Sequence, residues 1–170
     1  EKIVVGGSGM GRIDNLVVFV PFSAPQDLLE IEITEKNKNF LLGKIIKIIE
    51  PSPLRVKAPC PVFELCGGCQ LQHLNYPVQV SEKLNLVKES LTKFLSKQPQ
   101  SGFDQLSLSI EKSPEEFSYR NRIQLHKVKN QVGYFAPKSH TLIPIDSCLI
   151  AEKSLNEKMN ELRSQVRLKD

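Results

Sequence analysis

Four cysteines constrain what this chain can fold into more than any other feature. Cys60, Cys66 and Cys69 lie in the segment Cys60-Pro61-Val62-Phe63-Glu64-Leu65-Cys66-Gly67-Gly68-Cys69, and Cys148 stands alone far downstream. Three thiols in one short arc, joined by a distant fourth, make the sulfur set used by structural zinc and by iron–sulfur clusters, and spacing alone does not choose between them. Gly67 and Gly68 let the backbone turn tightly round a small inorganic centre and aim N–H groups at its sulfurs. Pro59 and Pro61 stiffen the approach. Bringing Cys148 to Cys69 closes a long loop at a cost of roughly 4 kcal/mol in chain entropy, which metal–thiolate binding of about 10 kcal/mol or more offsets. The metal-free chain is therefore expected to be poorly folded here. The alternative, two disulfides in a secreted protein, meets no hydrophobic signal segment and a chain too large to need such staples. Cysteines in that context point to a reducing, cytoplasmic compartment.

With 40% hydrophobic residues in 170 and no apolar run long enough to cross a bilayer, one or two small soluble domains are expected and no membrane partner. A net charge of +4 is too modest to argue for nucleic acid by itself, so only its local distribution is informative. The sequence begins at Glu1 rather than at a methionine, and a piece of a longer protein is one expectation.

Residues 2–5 and 16–20 are β-branched and apolar, with the glycine-rich stretch 6–15 between them, which predicts strand, turn, strand. A phosphate-binding reading of those glycines fails, because they run into Leu16-Val17-Val18-Phe19-Val20 rather than opening a helix. Alternation over 29–33 and a longer apolar run over 40–49 bring the first fifty residues to four or five short strands. Such strands bury their edges by curling into a small barrel. Pro51, Pro53 and Pro59 mark a linker. Val80, Leu84, Val87, Leu91 and Phe94 then recur at helical spacing, and this helix is expected to pack on the cysteine domain. Residues 96–102 read as loop, 106–110 and 119–128 as strands, 130–131 as a turn into Val132-Gly133-Tyr134-Phe135, and 141–145 as the strand that delivers Cys148. Ser154 and Glu157 form a capping box for a last helix with Leu155, Met159, Leu162 and Val166 on its inner face. The fold class is mainly β with helices, an α+β chain.

No acidic residue occurs between Ser118 and His140, while Arg120, Arg122, Lys127, Lys129 and Lys138 all do. If 119–126 is a strand, its period places Arg120, Arg122, Gln124 and His126 on one face, with Ile123 and Leu125 turned to the core. Such a ridge suits phosphates and single-stranded bases, with Tyr119, Tyr134 or Phe135 to stack a splayed base. The competing reading is a solvated strand face whose aromatics belong to the core. His73 reads as a packed, hydrogen-bonded residue, since four thiols already complete a metal's shell.

Several segments together resemble a known family. They are Gly7-Ser8-Gly9-Met10-Gly11-Arg12 with Val17-Val18-Phe19-Val20-Pro21, Ser52-Pro53-Leu54-Arg55-Val56, Cys60-Pro61, and Cys66-Gly67-Gly68-Cys69-Gln70-Leu71-Gln72-His73-Leu74 with Tyr76. Tyr119-Arg120-Asn121-Arg122, Val132-Gly133-Tyr134-Phe135 and the stretch from Ile145 to Cys148 complete the set. This pattern is similar to that of bacterial RNA uracil-5-methyltransferases that carry an N-terminal TRAM domain and a four-iron four-sulfur cluster. The resemblance implies an OB-like TRAM barrel over 1–55, a cysteine-rich and central-sheet domain over 56–150, and a helix over 151–170 leading toward a catalytic domain. It implies that Cys60, Cys66, Cys69 and Cys148 hold the cluster, zinc being the alternative. Ribosomal or transfer RNA is the implied partner, with Arg12 and Arg55 joining Arg120, Arg122, Gln124, His126 and Lys127 as contacts. Two departures stand out: Asn15 where the family commonly has glycine, and Pro25-Gln26-Asp27 in place of Pro-Gly-Glu.

The family's methyl transfer needs an S-adenosylmethionine domain, a cysteine nucleophile and a carboxylate base, and no candidates for these remain once the four cysteines are assigned. The expectation is the recognition portion of such an enzyme, not catalytic by itself. The alternatives are a zinc-stabilised interaction module without an RNA role and a stand-alone RNA-binding regulator.

Overall fold

The computed structural model describes residues 1–95 and 107–167, the side chains of the last two excepted. Contacts divide the chain into two compact units, Glu1–Lys57 with His73–Lys112 and Ala58–Gln72 with Ser113–Asp170. No described helix is long and apolar enough to cross a membrane.

The first unit is built on five strands, β1 (Lys2–Ile3), β2 (Ser8–Ile13), β3 (Leu16–Pro21), β4 (Leu28–Lys36) and β5 (Phe40–Glu50), in the order β1-β2-β3-β5-β4. All neighbours are antiparallel except β3 and β5, which run parallel. Val18, Val20 and Leu41 form the core, with Leu16, Leu29, Ile31 and Ile45 packed against it. β-Branched and leucine side chains alternate inward, as a one-sided sheet requires. Register irregularities at three places along β4 and β5 bend that pair.

The glycine-rich stretch differs from its sequence reading. Most of it is β2, paired along its whole length with β3; Gly6 and Gly7, at φ 92° and 84°, turn the chain from β1 into it, and Asp14 and Asn15, at φ 46° and 66°, turn it out into β3. Two positive φ angles between directly paired strands match the twist of a hairpin, and Asn tolerates them. Gly9 has a steric reason inside the strand: a Cβ there would stand 2.0 Å from Ser23 Oγ.

Helix α1 (Tyr76–Leu95) starts before Val80, because Asn75 caps it by accepting from the Val78 N–H at 3.0 Å. It packs against β1: Lys2 Nζ reaches Glu89 at 2.7 Å, and the Ile3 N–H donates to Glu82. Val80 is buried, while Val87 and Phe94 remain exposed. The proline-bearing segment after β5 is not a bare linker, because the Ser52 N–H and the Arg55 side chain bind Asp27 and Arg55 bridges to Leu74.

The second unit carries a three-stranded antiparallel meander, β6 (His126–Val128), β7 (Gln131–Phe135) and β8 (Leu142–Pro144), with α2 (Lys153–Arg167) packed on β7. Val132, Ile145, Ile150, Ala151 and Met159 are buried. The expected strand over 119–128 shrinks to β6. Upstream of it the backbone turns to the 149–152 segment instead, through Ser118 N–H to Leu149 O, Arg120 N–H to Ile150 O and Glu152 N–H to Arg120 O. Alternation survives only as burial, Ile123 and Leu125 half-buried and Arg122 and Gln124 exposed. Residues 107–110 form no strand, whereas Leu106, the loop expected over 96–102 and the Val166 side chain lie outside the described residues. The capping box at Ser154 is absent from the observed bonds. α2 begins one residue earlier, with Glu152 O accepting from Leu155 and Asn156.

Candidate metal centre

Within the second unit, a tight turn after Cys60 shapes the arc, held by Phe63 N–H to Cys60 O and Cys66 N–H to Val62 O. Glu64 sits at φ 71° inside that turn. Gly67 then donates its N–H to Phe135 O at 3.0 Å, pinning the arc to the end of β7. A Cβ at Gly67 would stand 3.0 Å from that same oxygen and 3.4 Å from Pro137 N, so the close approach requires glycine. Gly68 aims its N–H at Cys66 Sγ, 3.4 Å away, and Gln72 accepts from the Cys60 N–H.

Cys148 is fixed by Asn156, a residue the sequence reading passed over. Asn156 Oδ1 accepts from the Cys148 N–H at 2.8 Å, and its Nδ2 donates to Cys148 O, Ala151 O and Glu152 O. One amide on the first turn of α2 therefore holds both backbone groups of the distant cysteine. The clue was there in sequence, an Asn eight residues after the lone cysteine, but nothing local distinguished it from a helix-surface Asn.

All four cysteines are free thiols, half-buried, and line one cavity of about 440 Å³ of empty space, part of it open to solvent. Phe63, Ile145, Leu149 and Ile150 supply apolar wall, and Arg120 and Tyr134 complete it. Burial pushes the Cys66 and Cys69 thiols above their usual range, and repulsion between the neighbouring sulfurs adds to it. Tyr134 is pushed up for the same reasons, burial first and then the Cys148 and Cys66 sulfurs. Its hydroxyl is buried and meets no partner at hydrogen-bond geometry. Among the described residues no group of three or more His, Cys, Asp or Glu side chains stands assembled to hold a metal ion as it is. Four soft donors and one orphaned hydroxyl round a single cavity fit a thiolate-bound inorganic group that brings positive charge and fills the space between them.

The residues expected to touch RNA are differently disposed. Arg12 is exposed on β2, 3.4 Å from Glu1. Arg55 is committed inside the first unit: its side chain is 14% exposed, and it donates to both oxygens of Asp27, itself 1% exposed, and to Phe22 O. Burial opposes the Asp27 charge, but hydrogen bonds from Arg55, Ala24 and Ser52 outweigh it and hold the carboxyl below its usual range. Arg120 is exposed and also borders the cavity, and Arg122, Gln124 and Lys127 are exposed as well. His126 stacks on Phe135 with ring centroids 3.9 Å apart, and His140 meets that ring edge-on, so Phe135 is covered. Tyr119 remains the open aromatic at 55% exposure. His73 in the first unit is buried, with Nε2 3.2 Å from Ser23 O.

A model of the TRAM domain matches residues 5–46. An uncharacterised RNA methyltransferase of Bdellovibrio bacteriovorus is 37% identical over all of this chain, which covers 42% of that protein. One from Aquifex aeolicus is 34% identical over 99% of the chain and 38% of its own length. A solved structure of the Pyrococcus abyssi tRNA (uracil-54, C5)-methyltransferase with S-adenosyl-L-homocysteine aligns at a TM-score of 0.66 and 28% identity, over 97% of this chain and 38% of that one. The chain thus spans roughly two fifths of these proteins. It carries a TRAM domain in its first unit and is related to the RNA methyltransferases along nearly its whole length.

Proposed function

We propose that the chain is the RNA-recognition and iron–sulfur portion of an S-adenosylmethionine-dependent RNA uracil-C5 methyltransferase. One observation carries the reading: thiols from the arc and from position 148 line a single cavity in a chain similar to RNA methyltransferases over its whole length. Cys60, Cys66, Cys69 and Cys148 would hold a four-iron four-sulfur group. When bound, that group supplies the positive charge that lets four half-buried sulfurs ionise together and ties the arc to the Cys148 loop.

Exposed Arg12, Arg122 and Lys127 offer charge to phosphates, Gln124 offers amide donors, and Tyr119 offers a stacking ring. Methyl-donor binding, the nucleophile and the base would come from the rest of such an enzyme, acting in a reducing cytoplasm on ribosomal or transfer RNA. Anaerobic purification followed by iron, acid-labile sulfide and zinc analysis tests the first half: colourless protein with zinc alone supports the interaction-module alternative instead. Filter binding to transfer RNA and to ribosomal fragments across a salt series tests the second. Replacing both Arg122 and Lys127 by Ala should weaken binding and flatten the salt slope by roughly 0.7–0.9 per lost phosphate contact. A salt-insensitive complex, or unchanged affinity in the double variant, would count against RNA recognition by this surface.

A further inference from the structure

We propose that Tyr134 is a hydrogen-bond donor to the inorganic group in the cysteine-lined cavity, its phenolic O–H directed at a sulfur of that group or of its ligands. The inference rests on the iron–sulfur reading above and adds a residue that tunes the group rather than holding it.

Tyr134 lies in the middle of the second unit's sheet, paired with Ile143 on β8, and its side chain lines the cavity with all four cysteines. The next residue, Phe135, accepts the Gly67 N–H, so the arc is anchored one residue from Tyr134. Among the described residues the buried hydroxyl meets no partner at full hydrogen-bond geometry, and the group it is drawn to is the Cys148 sulfur. A buried donor without a partner is rare in native interiors and calls for a specific account, such as a ligand that completes it. Among the described residues, the polar side chains on the cavity wall besides the cysteines and Tyr134 are Gln72, Arg120 and Ser147. Gln72 is already drawn to the Cys60 N–H. Phenol O–H groups donate to soft, negatively charged sulfur, and such bonds draw electron density from it and favour the reduced form of an iron–sulfur group.

The test uses the chain purified anaerobically with its iron and sulfide in place. Tyr134→Phe should retain the same iron and sulfide content, show a lower midpoint potential in a dithionite titration, and lose one D₂O-exchangeable proton coupling in electron–nuclear double resonance of the reduced group. Unchanged potential and an unchanged set of exchangeable couplings would overturn the proposal while leaving the iron–sulfur reading intact. Absence of iron and sulfide from the unmodified chain would overturn both. Should Tyr134→Phe fail to retain the group, 3-fluorotyrosine at all three tyrosines keeps the hydroxyl and makes it a stronger donor. The potential should then rise, and no rise refutes the proposal.

Discussion

Asp27→Ala should be among the most damaging single substitutions in the first unit. The carboxylate is 1% exposed and accepts from Ala24 N–H at 2.6 Å, Ser52 N–H at 2.9 Å and the Arg55 guanidinium at 2.6–3.0 Å. Truncation leaves the Arg55 charge partly buried without its counter-ion and strands two backbone donors. Breaking a buried pair on one side costs about 3–5 kcal/mol, and the stranded N–H groups place this case toward the upper end. With a urea slope of roughly 1–3 kcal/mol per molar, the unfolding midpoint should fall by on the order of 2 M. Circular dichroism during urea titration reads this directly. The pH dependence gives a second check. Because the folded carboxyl titrates below its unfolded value near about 3.9, its stabilisation is complete above that pH and disappears as pH falls through the lower, folded value. Asp27→Ala should lack that part of the acid sensitivity. A midpoint shift equivalent to less than about 1 kcal/mol would refute the argument, since that is the range of an exposed ion pair.

The remaining expectations concern backbone and metal loading. Gln26 sits at φ 72°, where a side chain costs about 1–2 kcal/mol and glycine's extra chain entropy returns about 0.5–1, so Gln26→Gly should raise stability by roughly 0.5 kcal/mol, read as a small gain in urea midpoint. Gly133→Ala should cost about 3 kcal/mol or more and lower iron retention, because the new Cβ would stand 2.0 Å from the Ile143 carbonyl and push β8 off β7. Asn156→Ala frees both backbone groups of Cys148 and should speed iron loss to a chelator such as bathophenanthroline, while Asn156→Asp, which keeps an acceptor for the Cys148 N–H, should be milder.

What was legible in sequence was what chemistry or periodicity carries without reference to distant partners. Cysteine spacing brought Cys60, Cys66, Cys69 and Cys148 to one cavity because thiol chemistry does not depend on which elements deliver it. β-Branched runs marked the sheet of the first unit. The glycine turn was read correctly at Gly6 and Gly7 but extended too far into β2, because its glycines signal turn by propensity, whereas Gly9 is there to admit Ser23. Alternation over 119–125 reported burial correctly but not hydrogen bonding, which the 149–152 segment claims. Helical spacing gave α1 its apolar stripe, yet a stripe cannot say which strand it meets, and here it is β1. Arg55 looked available to RNA because its buried partner is twenty-eight residues away in sequence.

The clasp at the root of the cysteine arc lowers the cost of gathering it. Val56 N–H donates to His73 O at 2.9 Å, and Arg55 bridges to Leu74, so both roots of the 57–72 loop are gathered by the first unit's own hydrogen bonds. Closing a loop of that length costs about 2.5 kcal/mol of chain entropy. With the first unit folded, that closure cost is already met for the loop that carries the three thiols. On the iron–sulfur reading proposed above, metal loading would depend on the sheet that precedes the arc in sequence, and lesions around Asp27 should surface as poor iron incorporation although no cysteine has been touched.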